Sequence, residues 1–370
     1  MAAAPTTIQA NADSKTQITV CTWNINGEAE AALRKEVTTA TFKHQNTDGM
    51  RQLRKSDIIC VQEMTVKPAG HAAHKYLPLD KRYNVVNSTQ PDGNIYNAVY
   101  YNKKKFNKIP VKCLDQAYNL MEHKRACYDR IQQQGDRENA ISGTLRAWGE
   151  SKDERKMCKE VLRECHQLRE FNISKYMYQR PRRDTHTTEN PRDLLNYRMA
   201  ICVLEIKSLP GQHIVAVSVH NYSKRSGRNA PGNYACLLFD FLSKLRYTGL
   251  NHIVVIAGDF NFNIGDHEPS LKPYLDCYHI PKYKLTPLRK TTIDFIMVTK
   301  LNDITMRNVK AHDLQVPPEV ENQGIGGHRK ITNHSPISAV VELNQCMLVL
   351  KLFRSLSKWW HSLFATDNSS

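Results

Sequence analysis

The run His252-Ile-Val-Val-Ile-Ala257, ended by Gly258-Asp259-Phe260-Asn261, constrains this chain more than any other segment. It is short, continuous and rich in β-branched residues, so it reads as a buried strand. Gly258 ends it and turns the chain. Asp259 is thereby delivered to a sheet end, and Asn261 projects beside it. A carboxylate and an amide held this way suit a phosphate group and a hard cation. Alone, the tetrapeptide reads equally as an Asx turn after a strand.

Other segments share the design. Gln17 to Trp23 alternates like a strand and runs into Asn24-Ile25-Asn26-Gly27. Asp57 to Val61 is a second buried-type strand and runs into Gln62-Glu63. Ile214 to Val219 ends in His220-Asn221. Thr292 to Val298 carries Asp294 inside an otherwise apolar strand, and Asn333-His334-Ser335-Pro336 precedes a last strand, Ile337 to Leu343. One polar strand end means little. Several, in strands that are otherwise apolar, point to one convergent site.

Taken in order, WNIN, QE, VH, GDFN, IDF and NHSP resemble the endonuclease/exonuclease/phosphatase family, whose members include DNase I, exonuclease III-type repair nucleases and neutral sphingomyelinases. QE and GDFN are the most specific elements, and the ordered set is far more specific than either. The resemblance spans Trp23 to Pro336. It implies an α/β fold: a four-layered sandwich of two mixed sheets, DNase I-like, with the site where the sheets open at one edge. It also implies divalent-metal hydrolysis of a phosphodiester, or of a phosphomonoester in some branches.

The same resemblance assigns roles. Glu63 is similar to the principal metal carboxylate, with Asn24 and Asn26 beside the metal, which would be Mg²⁺ or Mn²⁺. Asp259 and Asn261 match the pair that orients the attacking water and holds the phosphate. His334 matches the histidine at the scissile phosphate, and Asp294 its carboxylate partner. His220 matches a second phosphate histidine found in the DNase I and sphingomyelinase branches. Arg198, Arg329, Lys330 and Asn333 are candidate phosphate contacts, with a solvated loop as the plain alternative for Arg329 and Lys330. Two positions depart from the family pattern. Many nucleases carry Asp where Asn26 stands, and the family usually has Asp where Asn333 stands.

Composition narrows the partners. A net charge of +16 over 370 residues attracts polyanions. Nucleic acid is the expected partner, though anionic membranes draw on the same physics. Mean hydropathy is −0.55 and no run is long enough to span a bilayer, so a soluble intracellular chain is expected, cytoplasmic or nuclear. The ten cysteines then read as reduced thiols, with Cys21, Cys60 and Cys202 as small core residues. Cys158, Cys165 and His166 are better explained by a helix face than by zinc.

The expected organisation is a disordered tail over 1–16 and a catalytic domain over 17–345. That domain is interrupted by a mostly helical basic insertion over 107–196. An amphipathic helix and tail follow over 346–370. Inside the insertion, Lys175 to Arg183 interleaves aromatics with arginines, which suits nucleic acid or merely a basic linker. Residues 347–364 place apolar and basic groups on opposite helix faces, which suits a membrane interface or docking on the sandwich. The leading expectation is a metal-dependent nuclease. The alternatives are a phospholipid phosphodiesterase of the sphingomyelinase type, and a degenerate binding protein of the same fold. Oligomeric state is not legible.

Overall fold

The computed structural model of the protein describes residues 15–24, 48–66, 81–89, 95–110, 112–122, 191–222, 230–248, 250–262, 271–281, 293–312, 334 and 336–344. Asn26, Arg329, Lys330, Asn333, the Lys175–Arg183 stretch, the Cys158/Cys165/His166 group and residues 347–364, expected as a helix, lie outside the described residues.

Two mixed sheets of six strands each make the fold. The first has the order β11 (Ile304–Ala311), β12 (Ile337–Asn344), β1 (Lys15–Asn24), β2 (Ile58–Val66), β4 (Ile95–Asn102), β3 (Tyr83–Thr89). The second has the order β5 (Phe106–Lys108), β6 (Met199–Ile206), β7 (His213–His220), β8 (His252–Asp259), β10 (Asp294–Thr299), β9 (Tyr278–His279). Each sheet has one parallel pair at its centre, β1 with β2 and β7 with β8. The other pairings are antiparallel.

Alternation along the strands builds the layers. Ile18, Val20, Ile58, Cys60 and Val99 of the first sheet share one buried cluster with Cys202, Ile214, Ala216, Val255 and Ile296 of the second. The opposite face of the second sheet, with Val203, Val215, Val217 and Ile256, packs on helices α2 (residues 112–122), α3 (Pro191–Arg198) and α4 (Ala230–Lys244). On the outer face of the first sheet, Trp23 and Tyr100 are buried, as is Leu53 of α1 (Asp48–Lys55). The order is helix, sheet, sheet, helix, as expected for the four-layered sandwich. Each large apolar side chain so buried contributes roughly 1.5–3 kcal/mol.

The layer between the sheets is apolar only up to its last rungs. The face that carries Ile18 and Val20 continues to Thr22 and Asn24. The Ile58–Cys60 face continues to Gln62, and the Ile214–Ala216 face to Ser218 and His220. Ile253, Val255 and Ala257 lead to Asp259, while Val298 and Ile296 lead back to Asp294. All of these polar side chains are buried. A dry inter-sheet core thus ends in a buried polar cap, on one edge of the sandwich.

Three expectations need adjusting. Asp294 is the first residue of β10, not an interior one. It pairs with Asp259, the last residue of β8, and past that pair one bond, from the Phe260 N–H to the Ile293 carbonyl at 2.8 Å, joins the two segments before the chain turns at Asn261. The strand β1 takes in Lys15 and Thr16, because they pair with Asn344 and Leu343 of β12. The described ends of the 107–196 segment belong to the core. Cys113, Leu114, Ala117, Tyr118 and Met121 form the buried stripe of α2, and Tyr118 stacks on Phe241 at 4.3 Å. Cys21 and Cys202 behave as small core residues: burial pushes both thiols up to about 12. No described helix is long and apolar enough to cross a membrane.

Candidate active site

Parallel strands deliver their carboxyl ends to the same edge, which is where open α/β sheets hold ligands. Asn24 ends β1 and His220 ends β7, with His220 level with Asp259 on β8. Asp294 enters from β10 in the opposite direction, level with the same Asp259. His334 precedes β12, which runs antiparallel to β1 and so begins at this edge.

Local geometry makes the approach possible. Gly258 has φ +154°, and a Cβ there would lie 1.9 Å from the Val219 carbonyl oxygen. Only glycine lets β8 come this close to β7. Glu63 has φ +55° and Asn261 φ +56°. Asparagine tolerates that left-handed region, but glutamate is uncommon there. The β2–β4 register shifts between Gln62 and Val66, so Glu63 sits in a bulge that re-aims its carboxylate. Strained backbone at a polar site fits a functional demand on geometry.

The side chains form one network. The Asn24 amide donates to Glu63 Oε1 at 3.0 Å and to Asp259 Oδ2 at 2.9 Å, joining the two sheets through one residue. His220 Nε2 lies 3.1 Å from Glu63 Oε1. An Arg198 guanidinium nitrogen lies 3.5 Å from His220 Nδ1. Asp259 Oδ1 accepts the Asn261 N–H at 2.7 Å, which fixes the plane of that carboxylate. The Asn261 amide donates to the Asn221 carbonyl at 2.7 Å and lies 3.2 Å from His220 Nε2. His334 Nδ1 stands 3.1 Å from both oxygens of Asp294 and 3.6 Å from Asp259.

Burial alone would raise the Glu63 carboxyl. The bond and charge of His220, the Asn24 amide and the charge of His334 together outweigh it and bring the group down to about 2. Glu63 is therefore ionised at neutral pH. Among the described residues, two groups have ligand atoms within 4.8 Å of one another: Glu63, His220 and Asp259, and Asp259, Asp294 and His334. Asp259 belongs to both groups, so its carboxylate lies this close to that of Glu63 on one side and that of Asp294 on the other, and a cation beside either pair would offset their repulsion. Their oxygens, with the Asn24 amide, are the donor type that Mg²⁺ and Mn²⁺ take.

The structure thus brings together Asn24, Glu63, Arg198, His220, Asp259, Asn261, Asp294 and His334. Arg198 also stacks over Tyr222, 4.4 Å from the ring centroid. Five further residues stand around the site. Gln62 donates to Ser218 across the sheets at 2.9 Å and bonds Thr22 on β1. The Trp23 indole donates to the His334 carbonyl at 3.2 Å, pinning that segment to β1. Asn97 lies opposite Gln62, and its amide oxygen and nitrogen are buried with no hydrogen-bond partner among the described residues. Strand parity carried a trace of this set, since Thr22, Gln62, Asn97 and Ser218 are polar positions on faces that are otherwise apolar.

No protein-family model matches the chain, and no curated protein does. Solved structures align over most of it. An endonuclease/exonuclease/phosphatase family protein from Bacteroides thetaiotaomicron is 11% identical with a TM-score of 0.48, covering 89% of this chain and 99% of its own. A mannosyl-6-phosphatase from the same organism is 12% identical with a TM-score of 0.48, covering 88% and 99%. TDP2 from D. rerio, solved with a single-strand DNA product, is 11% identical with a TM-score of 0.45, covering 88% and 99%. At such identities and scores, the fold of this chain rests on its own strand order and the site on its own distances.

Proposed function

We propose that the chain is a metal-dependent phosphodiester hydrolase acting on nucleic acid. The observation that carries this reading is the Asn24 amide bridging Glu63 and Asp259 beside the His334–Asp294 pair. It gathers a metal carboxylate, a water-orienting carboxylate and a braced imidazole at one edge. Glu63 and Asn24 would hold the cation, which when bound neutralises phosphate charge and stabilises the leaving oxygen. Asp259 orients the attacking water and takes its proton, with its plane set by the Asn24 and Asn261 bonds. Asp294 fixes the His334 ring through Nδ1, so the ring acts on the phosphate through Nε2. His220, Asn261 and Arg198 stabilise the added charge of the transition state. The net charge of +16 favours a polyanionic substrate.

Purified protein with Mg²⁺ or Mn²⁺ is assayed against DNA, RNA, sphingomyelin and a sugar phosphate. Cleavage of nucleic acid is expected, with most of it lost in Glu63→Gln and in excess EDTA. Full activity in EDTA would overturn the metal role. Turnover of the lipid alone would move the reading to the sphingomyelinase type, and no turnover of any substrate would leave a binding protein of this fold.

A further inference from the structure

The strands that end at the site start from a face of another kind. The turn between β4 and β5 is Lys103-Lys104-Lys105, and Lys207 begins the turn between β6 and β7. Lys55 precedes β2, and Lys81 and Arg82 precede β3. All six lysines are exposed. The turns lie side by side. The Lys103 N–H donates to the Arg82 carbonyl at 2.9 Å, and the Lys207 N–H to the Lys105 carbonyl at 2.9 Å. Lys207 Nζ donates to the Lys103 carbonyl at 2.8 Å. Among the described residues, Asp57 and Glu205 are carboxylates bonded at these turns. Asp57 accepts from Lys105 and from the Thr19 N–H, and Glu205 accepts from the Gly211 N–H. Among the described residues, only Lys105 of the six lysines has a carboxylate within ion-pair distance.

We propose that this face is a second nucleic-acid-binding surface, which holds the phosphodiester backbone away from the site. The choice of nucleic acid rests on the function proposed above. Ammonium groups on short, backbone-locked turns suit phosphates as fixed point charges. The turns expose no aromatic or large apolar side chain to enter lipid: Leu209 of the β6–β7 turn packs against the core, and Leu301, outside these turns, is the one large apolar residue exposed among those described. A polyanion read by charge alone is what such a face fits. Strands of about eight residues separate it from the site by about 26 Å. A strand of about six nucleotides occupies one end only, whereas a strand of about forty reaches both.

The triple variant Lys55→Gln/Lys103→Gln/Lys104→Gln tests the surface, since it leaves the backbone bonds between the turns in place. Fluorescence anisotropy is measured in EDTA with a 40-nucleotide and a 6-nucleotide single strand. The variant should bind the long strand about tenfold more weakly near 0.1 M salt. Its slope of log affinity against log salt should fall by about 2, at about 0.7 per lost phosphate contact. Binding of the short strand should change less than twofold. An unchanged slope for the long strand in a variant with a normal thermal transition overturns the surface. Loss of binding to phosphatidylserine vesicles with the long strand unaffected reassigns it to membranes. Because no metal is present, this outcome is independent of hydrolysis. A reduced slope in a protein that cleaves no nucleic acid would sustain the surface and sink the catalytic reading.

Discussion

At one end, β1, β7 and β8 finish in Asn24, His220 and Asp259, with Glu63 in the β2 bulge, all buried and bonded to one another. At the other end, the turns entering and leaving the strands show lysines to solvent, bonded mainly through their backbone. The two ends share strands and core, yet they solve different problems. Chemistry needs charges fixed in direction, which takes burial and reciprocal hydrogen bonds. Capture of a polyanion needs charges only near one another, which takes exposure and little geometry. Substitutions should therefore be costly at the first end and mild at the second.

The largest contrast is expected in rate. His334→Ala and Asp294→Asn should each lower kcat by about a hundredfold, the scale of a lost acid–base group. The double variant should lose much less than the product of the singles, because Asp294 acts through the His334 ring. Multiplying losses in single-turnover assays would dissolve the pair. Glycine gives the next contrast. Gly258→Ala forces a Cβ against the Val219 carbonyl and should cost about 3 kcal/mol or more, read from the denaturant midpoint. Gly211, in the opposite turn, has φ +79° but nothing within 4 Å, so Gly211→Ala should cost about 1 kcal/mol. Equal losses would mean that close strand approach is not what Gly258 provides.

Acid should separate the ends more gently. The Glu63 carboxyl is held at about 2 in the folded chain, against an ordinary 4.5. Folding thus favours its ionised form. The stabilisation is full above pH 4.5, shrinks as the pH falls, and is gone below about 2. It amounts to roughly 3 kcal/mol at most. Urea midpoints of the metal-free protein at pH 5 and pH 3 should differ less in Glu63→Gln than in the parent. A parallel fall in both would show that other carboxylates carry the acid response.

Strand faces explain what was legible. His252 to Ala257 and Ile214 to Val219 are apolar on both sides, so their burial and polar ends stand out in one dimension. The strand β11 is half exposed, and β5 and β9 have three and two residues, so neither periodicity nor length marks them. Helix α4 opens with Ala-Pro-Gly, which reads as a turn although proline in a first helical turn is a start signal. Six strand-end segments pointed to the residues that the structure gathers at one edge, as far as those residues are described. They could not show that Asn24 joins Glu63 to Asp259, or that Gln62 reaches Ser218. Those bonds cross between sheets, and nothing along the chain records which strand faces which. The sheet locates Asp294 one way and its local sequence another, because a ladder ends where its partner ends.

The place of β12 between β11 and β1 sets an order of events during synthesis. The second sheet uses strands from Phe106 to Thr299 and can pair all of them before the rest of the chain exists. The strand β1 is made before every other described strand, yet one of its two edges waits for residues 337–344. His334 arrives on the same late segment. Roughly 300 residues separate it from Asn24, on the order of tens of seconds of translation. A nascent chain that has reached β11 therefore already holds Glu63, Asp259 and Asp294, but lacks both the imidazole that Asp294 orients and the strand that closes the sheet beside it. The timing of the last strand makes the emerging polypeptide its own safety catch.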